Sequence, residues 1–445
     1  MKTPPFLSPL TVLTALRSKP ASARFVFAWE REDASCFRYE VPIPAGAEND
    51  VQTQRFCERC VKFVLWAAGG WKLYLSGPDA IVGSIEKAYA PNGARHFDTD
   101  LMGRLVYHKT FEIVRAAPDA IPATRDTRQS TGTSWKGCRI GFDLGASDFK
   151  IAAVEDGTVR FNDEFPWDPK NATDPAYHYD LLNGGLKKAA ATLPRVDAIG
   201  GSTAGVVVAN RLRTASLLRG LPADKMKEGQ EMFLRLEREW RVPVEVANDG
   251  DVTALSAYLT SNLTGVLGVA MGSSQAGGFL DRNGQLTGRL NELAFTPVDM
   301  AEGAPADEWS GDSGVGAMYF SQQATNYLAG HYGITFPEKM PLPERLVEVQ
   351  NLMKKDDAAA RALYETVGTH LGHAAAWYAE FYDYQHLLTL GRVTTGKGGD
   401  ILLDVAQRTL RSVYPAVASR ITISMPDEAN KRLGQSVAAA ALNRS

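Results

Sequence analysis

The alternation of strand-like and helix-like segments after residue 137 constrains the fold of this chain more than any other feature. Short apolar segments alternate there with amphipathic ones, which predicts helices packed on largely parallel sheets. The predicted strands are residues 139–142, 151–155, 198–200, 244–247, 265–270 and 386–390, and the predicted helices include 177–192, 225–240, 253–259 and 358–383. Ligands of such folds bind at the carboxyl ends of the strands, so the motifs at those ends are the candidates for function.

The first 120 residues predict a small α/β domain to which no chemistry can be assigned. Its expected elements are strands over 24–29, 36–41 and 71–76 and helices over 51–68 and 78–89. A helix over residues 10–17 runs into a strand-like segment instead of a second helix, so a helix-turn-helix is not predicted. Prolines and a polar stretch then predict a linker over 121–137.

Composition excludes several classes of function. The 48 basic and 51 acidic residues give a net charge of −3, which offers no bulk attraction to nucleic acid or to a membrane. The longest apolar runs, residues 63–68 and 437–442, are far shorter than the roughly 20 residues of a membrane helix. No secretory signal is recognisable, and four cysteines do not make a disulfide framework. Cys57 and Cys60 form a CxxC without the second pair of a zinc ribbon. We therefore expect a cytoplasmic protein.

The first motif is a strand that ends at Asp143, a tight turn over residues 145–147 and a second strand from Phe149. Gly145 allows the backbone to approach a ligand closely, and the N–H groups of the turn and the Ser147 hydroxyl can face phosphate oxygens. A carboxylate such as Asp143 suits a Mg²⁺ ion held partly through water. An ordinary hairpin with a Gly/Asp turn explains the same residues, so both interpretations stay open for this motif alone.

The second motif is a strand that runs to Ala247 and turns through Asn248 and Asp249 into a helix expected to start near Val252. A carboxylate at a strand-to-helix corner is well placed to act as a general base on a hydroxyl. Asp251 is the better candidate for the helix N-cap. Capping therefore leaves Asn248 and Asp249 unexplained.

Two further glycine-rich turns follow strands. The third motif, residues 267–281, repeats the hairpin design of the first with Gly272, Ser273 and Ser274 at its turn, and two such hairpins facing each other would clamp a polyphosphate. In the fourth, residues 387–400, Gly391 and Gly396 let the backbone lie against a planar group such as adenine before a helix from Ile401. An ordinary hairpin and a flexible loop are the alternatives.

The four motifs in this order resemble the phosphate-1 loop, the catalytic strand–helix corner, the phosphate-2 loop and the adenosine loop of the sugar kinase, heat-shock chaperone ATPase and actin superfamily. More narrowly, residues 138–445 resemble the ROK family of sugar kinases and related proteins. Supporting stretches are residues 200–208, 216–222, 291–295 and 433–442. The resemblance implies a two-lobed, actin-like and ribonuclease H-like α/β fold, with one lobe over 138–254, completed by a final helix over 431–445, and a second lobe over 255–430. It also implies the cofactors ATP and Mg²⁺, a sugar-like substrate and a homodimer.

The resemblance also implies roles for particular residues. Asp249 would be the general base for the attacking hydroxyl, Asn248 would bind a neighbouring hydroxyl, and Glu292 would bind sugar hydroxyls. Ser202 and Thr203 would also contact the acceptor. Asp143 would bind the metal, and the residues implied to contact the nucleotide are Asp143, Gly145, Ala146, Ser147, Lys150, Gly272, Ser273, Ser274, Gly391 and Gly396.

The chain departs from the family pattern at several positions. Asp148 stands where Lys or Asn is common, Phe295 replaces a histidine, and Ala317 replaces a sugar-contacting glutamate. Residues 309–321 align with the zinc loop of the family but contain no cysteine, so structural zinc is not expected. New polar contacts to the acceptor could come from Asp307, Glu308 and Asp312, or these residues form a solvated acidic loop.

These observations lead to one hypothesis and two alternatives. The hypothesis is transfer of the γ-phosphoryl group of ATP to a hydroxyl of a sugar or sugar-like acceptor. The first alternative is a catalytically degenerate sensor that binds ATP or a sugar, and the second is an actin-like ATPase. Retention of Asn248 and Asp249 favours the kinase, whereas the altered positions 148, 295 and 317 favour the sensor.

Overall fold

The computed structural model of the 445-residue chain describes residues 3–126, 135–145, 147–426 and 434–442. They fall into two compact units. The first unit comprises residues 1–127, 267–277 and 289–425, and the second comprises residues 128–266, 278–288 and 426–445. The N-terminal residues thus share a compact unit with residues 289–425, whereas the sequence indicated a domain of their own.

The elements are numbered in chain order. The strands are β1 (Ala21–Glu30), β2 (Cys36–Pro44), β3 (Lys72–Ser76), β4 (Glu112–Arg115), β5 (Cys138–Leu144), β6 (Asp148–Glu155), β7 (Thr158–Pro166), β8 (Ala198–Thr203), β9 (Val206–Val208), β10 (Arg211–Thr214), β11 (Val244–Asn248), β12 (Val266–Met271), β13 (Gln275–Leu280), β14 (His386–Leu390) and β15 (Thr422–Ser424). The α-helices are α1 (Pro9–Arg17), α2 (Val51–Ala68), α3 (Asp79–Tyr89), α4 (His96–Asp100), α5 (Pro175–Ala190), α6 (Met226–Gln230), α7 (Met232–Trp240), α8 (Asp249–Ser261), α9 (Gln322–His331), α10 (Leu342–Lys354), α11 (Ala358–Tyr378), α12 (Gly396–Val413), α13 (Pro415–Ala418) and α14 (Gln435–Ala440).

The first unit is built on two four-stranded sheets. Their strand orders are β2-β1-β3-β4 and β13-β12-β14-β15. Helix α2 covers the first sheet and is capped by Asp50, whose carboxylate accepts a hydrogen bond from the Thr53 N–H. Its apolar face packs on residues near the end of α11, where Phe63 stacks on Phe381 with ring centroids 4.1 Å apart. No helix in the described part of the chain is both long and apolar enough to cross a membrane.

The second unit is built on one five-stranded sheet of order β11-β8-β5-β6-β7. Strands β11, β8 and β5 run parallel, whereas β5, β6 and β7 pair antiparallel as two hairpins. The small-residue helix α14 lies directly on this sheet, because a Cβ atom on Gly141 or Gly200 would overlap the backbone of Ser436 or Ala439. The α/β architecture expected from the sequence is confirmed here.

Several sequence-predicted elements end or begin elsewhere. The helix expected over 225–240 is interrupted at Glu231, whose φ of −97° and ψ of 10° separate α6 from α7. The helix expected from Ile401 begins at Gly396, because the glycines of the fourth motif form the first turn of α12. The long helix expected to reach residue 383 ends at Tyr378.

His370 makes the first unit sensitive to acid. Its ring is buried, stacks on Phe6 at 4.4 Å, and has no hydrogen-bond partner at either nitrogen among the described residues. Tyr319 and His373 are the titratable side chains beside it. Burial, together with the charge of the neighbouring His373, lowers the pKa of His370 to about 3.

We expect acid to destabilise the protein through His370. A histidine in the unfolded chain titrates near pH 6.5, so below that pH the unfolded state takes up a proton that the folded state does not. The stability contributed by the neutral ring is fully present above pH 6.5 and falls by up to about 1.4 kcal/mol per pH unit below it, until about pH 3. Urea unfolding at pH 7.5 and 5.5 should show that the wild type loses about 1.4 kcal/mol more than His370→Phe. Equal losses in the two proteins would mean that the folded state accepts the proton.

Candidate active site

Three neighbouring parallel strands of the second unit end in polar residues. In the register of the sheet, Asp143 on β5 lies opposite Ser202 on β8, and Thr203 lies opposite Asn248 on β11. Asp249 follows Asn248 as the first residue of α8. Five of the residues singled out in the sequence, far apart along the chain, are therefore brought to one edge of one sheet.

Asn248 and Asp249 lie side by side at the corner between β11 and α8, and both side chains accept a hydrogen bond there. The Asn248 side chain caps the helix, because its Oδ1 accepts from the Gly250 N–H at 2.7 Å, and its Nδ2 donates to the Gly205 carbonyl at 2.9 Å. Asp249 Oδ1 accepts from the same N–H at 2.9 Å. The expectation that Asp251 caps this helix is wrong. Asp251 lies inside the helix, and its carboxylate accepts from the Phe279 N–H at 3.0 Å.

The two carboxylates of the cluster influence each other. Burial raises the pKa of Asp249 to about 6, and the nearby charge of Asp143 contributes to the rise. Burial also raises the pKa of Asp143, while the hydrogen bond from Ser202 and the charge of Lys150 oppose the rise. A carboxylate with a pKa near 6 is ionised at neutral pH and is a stronger base than an exposed aspartate.

The donor chemistry of this cluster fits Mg²⁺. The ion is usually held by one or two carboxylates, with water and phosphate oxygens as the other ligands. Asp143 supplies such an oxygen, and a cation would offset its repulsion of Asp249. Among the described residues, no group of three or more His, Cys, Asp or Glu side chains is arranged to hold a metal. A Mg²⁺ ion bound here would be held by Asp143 together with phosphate oxygens and water.

In the turn between β5 and β6, the polar groups form hydrogen bonds with one another. The Gly145 N–H donates to the Asp148 carbonyl at 2.9 Å, and the Ser147 hydroxyl donates to the Asp148 carboxylate at 2.9 Å. Lys150 Nζ lies 3.7 Å from that carboxylate and partly offsets its charge. Ala146 lies outside the described residues. Gly145 and Ser147 would have to exchange these internal bonds for bonds to a phosphate group, so their nucleotide contacts stay predictions.

The turn between β12 and β13, which belongs to the third sequence motif, and the glycine-rich fourth motif lie together in the first unit. The Gly272 N–H donates to the Ser274 carbonyl at 2.9 Å across the turn that contains Ser273. Gly391, with a φ of 102°, lies against Met271, and a Cβ atom there would come within 2.5 Å of the Met271 carbonyl oxygen. The ends of β12 and β14 are therefore adjacent. Gly396, with a φ of 67°, is the first residue of α12, and among the described residues no atom beyond its chain neighbours and its own helix backbone lies within 4 Å of the position that a Cβ atom would take there.

Glu292 also lies in the first unit. Its N–H donates to the carbonyl of Trp66 at 3.1 Å, and it precedes the short 3₁₀ turn Leu293–Phe295. The sequence-predicted residues thus form two groups. The group in the second unit is Asp143, Gly145, Ser147, Lys150, Ser202, Thr203, Asn248 and Asp249, and the group in the first unit is Gly272, Ser273, Ser274, Glu292, Gly391 and Gly396.

The sequence did not point to Gln435, which joins two parts of the strand-end cluster. Its Nε2 donates to the Thr253 hydroxyl at 2.9 Å, and that hydroxyl donates to the Asp249 carbonyl at 2.9 Å. Its Oε1 lies 3.4 Å from the Ser202 hydroxyl. The only signal in the sequence is a polar residue at the start of a helix of small residues. Such a position is too common to identify a site residue.

Comparisons with known proteins agree with this architecture. No protein-family model and no curated protein matches the chain. Solved structures do match. The ROK hexokinase of Thermus thermophilus is 17% identical, and the match covers 68% of this chain and 97% of that one with a TM-score of 0.52. A glucokinase of Parabacteroides distasonis is 16% identical, with 70% and 98% covered and a TM-score of 0.52.

A third match is a ROK family transcriptional regulator described as a homologue of the E. coli MLC protein. It is 17% identical, and the match covers 68% of this chain and 76% of the regulator with a TM-score of 0.53. At such identities the likeness establishes the fold. The chain has the α/β fold of the ROK proteins that it matches, and the resemblance found in its sequence is confirmed at the level of the fold.

Proposed function

We propose that this protein is an ATP-dependent phosphotransferase that moves the γ-phosphoryl group of ATP to a hydroxyl of a sugar or sugar-like acceptor. The observation that carries the proposal is the cluster of Asp143, Ser202, Asn248 and Asp249 at three adjacent strand ends. Similarity to the ROK hexokinase and to the glucokinase described above supports the same reaction class. Because the neighbours also include a transcriptional regulator, the fold alone does not imply this reaction, and the proposal goes beyond it.

In this reaction Asp249 accepts the proton of the attacking acceptor hydroxyl. Its pKa of about 6 keeps it ionised at neutral pH and able to take a proton as the oxygen begins to bond to phosphorus. Asn248 is held by the Gly205 carbonyl and the Gly250 N–H, so its amide can orient a neighbouring hydroxyl without moving. Mg²⁺ bound near Asp143 would compensate the charge of the phosphates.

One observation favours a sensor instead of an enzyme. The turn that would face the phosphates carries the Asp148 carboxylate. The Ser147 hydroxyl already donates its hydrogen bond to this carboxylate. A negative charge at this position opposes the binding of a polyphosphate, and Lys150 at 3.7 Å offsets it only in part. A protein that binds a sugar but transfers no phosphate would fit this feature.

One incubation separates the candidates. The protein is mixed with ATP, Mg²⁺ and, in turn, D-glucose, D-mannose, N-acetyl-D-mannosamine, D-fructose and sorbitol, and release of ADP is followed. We expect ADP release that depends on one of these acceptors. Binding of a sugar in calorimetry without ADP release would identify a sensor. ADP release at the same rate without an acceptor would identify an ATPase.

A further inference from the structure

The segment that carries Glu292 is built onto the end of helix α2 in the N-terminal region. Carbonyl groups in the last turn of a helix have no partners within the helix. Here the carbonyl of Ala67 accepts from the Asn291 N–H at 3.0 Å, and the carbonyl of Trp66 accepts from the Glu292 N–H at 3.1 Å. The last carbonyl groups of α2 and the N–H groups of the backbone around Glu292 therefore satisfy each other's hydrogen bonds.

The loop that follows is fixed by a buried group of ion pairs. The Asp312 carboxylate forms ion pairs with Arg59, Lys62 and Arg95, with nitrogen–oxygen distances of 2.6, 2.9 and 2.8 Å. Burial alone would raise the pKa of Asp312, but these three charges outweigh it and hold the pKa well below its usual range. Two of these cations also pair with acids of the N-terminal region: Lys62 with Asp98, and Arg95 with Glu58. Three residues of the N-terminal region thus hold one carboxylate of the loop.

This loop presents an exposed tryptophan. Among the described residues six large apolar side chains are exposed, and Trp309, at 65%, is the one tryptophan among them. Its ring lies edge-on to Phe97 at 5.5 Å and to Phe295 at 5.2 Å, and Phe295 lies 4.3 Å from Trp66. One edge of the indole is therefore held by rings of the N-terminal region and of the turn next to Glu292, while the rest faces solvent.

The backbone beneath Trp309 is also constrained. The Asp307 carboxylate accepts from the N–H and the hydroxyl of Ser310 at 2.7 and 2.8 Å. The Arg59 guanidinium also donates to the Ser313 carbonyl at 2.8 Å. An aromatic side chain that is held in place before a ligand arrives loses little conformational entropy on binding.

We propose that Trp309 is a contact residue for the acceptor, that the apolar C–H face of a pyranose ring stacks on its indole, and that the N-terminal region is the positioning element for this contact. The inference rests on the proposed function and adds a specificity-determining residue to it. A pyranose has an apolar face of C–H groups and an edge of hydroxyls. Trp309 offers a flat apolar surface. Carboxylates suit the hydroxyl edge, and Glu308 adjoins Trp309 in the chain, while Glu292 precedes the turn whose Phe295 contacts Trp309.

The test compares kinetic constants in matched variants. For whichever of D-glucose, D-mannose and N-acetyl-D-mannosamine turns over fastest, Trp309→Ala should raise the acceptor KM about tenfold, with the KM for ATP unchanged. Phe97→Ala removes the ring that holds Trp309 and should raise the acceptor KM severalfold. Phe111→Ala is the control, because Phe111 is a half-buried phenylalanine of the N-terminal region that packs on Trp29 and Tyr89. It should leave the acceptor KM unchanged.

The outcomes distinguish this inference from the proposed function. An unchanged acceptor KM in Trp309→Ala overturns the contact, even while kinase activity stands. A Phe97→Ala protein that behaves like Phe111→Ala overturns the positioning role. If the wild type binds a sugar in calorimetry without transferring phosphate, the proposed function fails, and the Kd of the same variants decides the inference. If the wild type neither binds nor phosphorylates any of the three sugars, both fail.

Discussion

Replacement of Asp249 by asparagine should lower the turnover of acceptor-dependent phosphoryl transfer by about 10²–10⁴-fold, the range that general-base catalysis typically contributes. The amide has the shape of the carboxylate but cannot accept a proton. Its Oδ1 can still accept from the Gly250 N–H, as the carboxylate does at 2.9 Å, so the corner between β11 and α8 should keep its geometry. The change also removes the repulsion between Asp249 and Asp143. We therefore expect a folded protein with nearly normal affinity for ATP.

The measurement is steady-state ADP release with calorimetry of nucleotide binding on the same samples. Asp163→Asn is the matched control, because Asp163 lies exposed on the edge strand β7 of the same sheet. The control should turn over at the wild-type rate. Near-normal turnover of Asp249→Asn would show that another group accepts the proton. Loss of both turnover and ATP affinity would place Asp249 in nucleotide binding.

Removal of the Asp312 carboxylate should destabilise the protein by about 3–5 kcal/mol, the cost of breaking a buried ion pair by removing one partner. The Asp312→Ala change leaves Arg59, Lys62 and Arg95 without the acid that they share, and all three side chains are largely buried. Lys62 keeps Asp98 and Arg95 keeps Glu58, so among the described residues Arg59 is the buried cation that loses its ion-pair partner. A buried cation without a counter-charge is far more costly than an exposed one.

Urea unfolding measures the loss, with Asp404→Ala as the control. Asp404 forms an exposed pair with Arg408 one helical turn away, and loss of such a pair costs at most about 1 kcal/mol. If Asp312→Ala does not fold, Asp312→Asn keeps a hydrogen-bond acceptor, and we expect it to lose less stability. A loss below about 1 kcal/mol in Asp312→Ala would mean that the three cations find water or other partners.

Local sequence patterns predicted elements whose determinants lie within a few residues. Helix α2 was predicted over residues 51–68, and its observed bounds are the same, because its apolar face repeats regularly and Asp50 caps it. The polar strand ends at Asp143 and Asn248 were also predicted, since each ends an apolar run. Parallel pairing through β8 then brings them to one edge.

Features that depend on distant contacts were not predictable in this way. Asp251 satisfies the sequence rule for an N-cap, but Asn248 caps the helix and Asp251 bonds to the Phe279 N–H across the fold. Glycine disfavours helices, so the first turn of α12 reads as a loop in the sequence. The packing of the N-terminal region on residues 291–313 depends on pairs such as Arg59 and Asp312, which are 253 positions apart. No local pattern marks such partners.

The central claim is that the strand-end cluster around Asp249 transfers phosphate to an acceptor hydroxyl. The most direct test is a single-turnover experiment, in which the enzyme with saturating ATP and Mg²⁺ is mixed with the acceptor and the phosphorylated sugar is quantified after rapid quenching. The account predicts one phosphorylated sugar per ADP in the wild type and a rate at least a hundredfold lower in Asp249→Asn. Equal rates in the two proteins, or ADP without phosphorylated sugar, would contradict it.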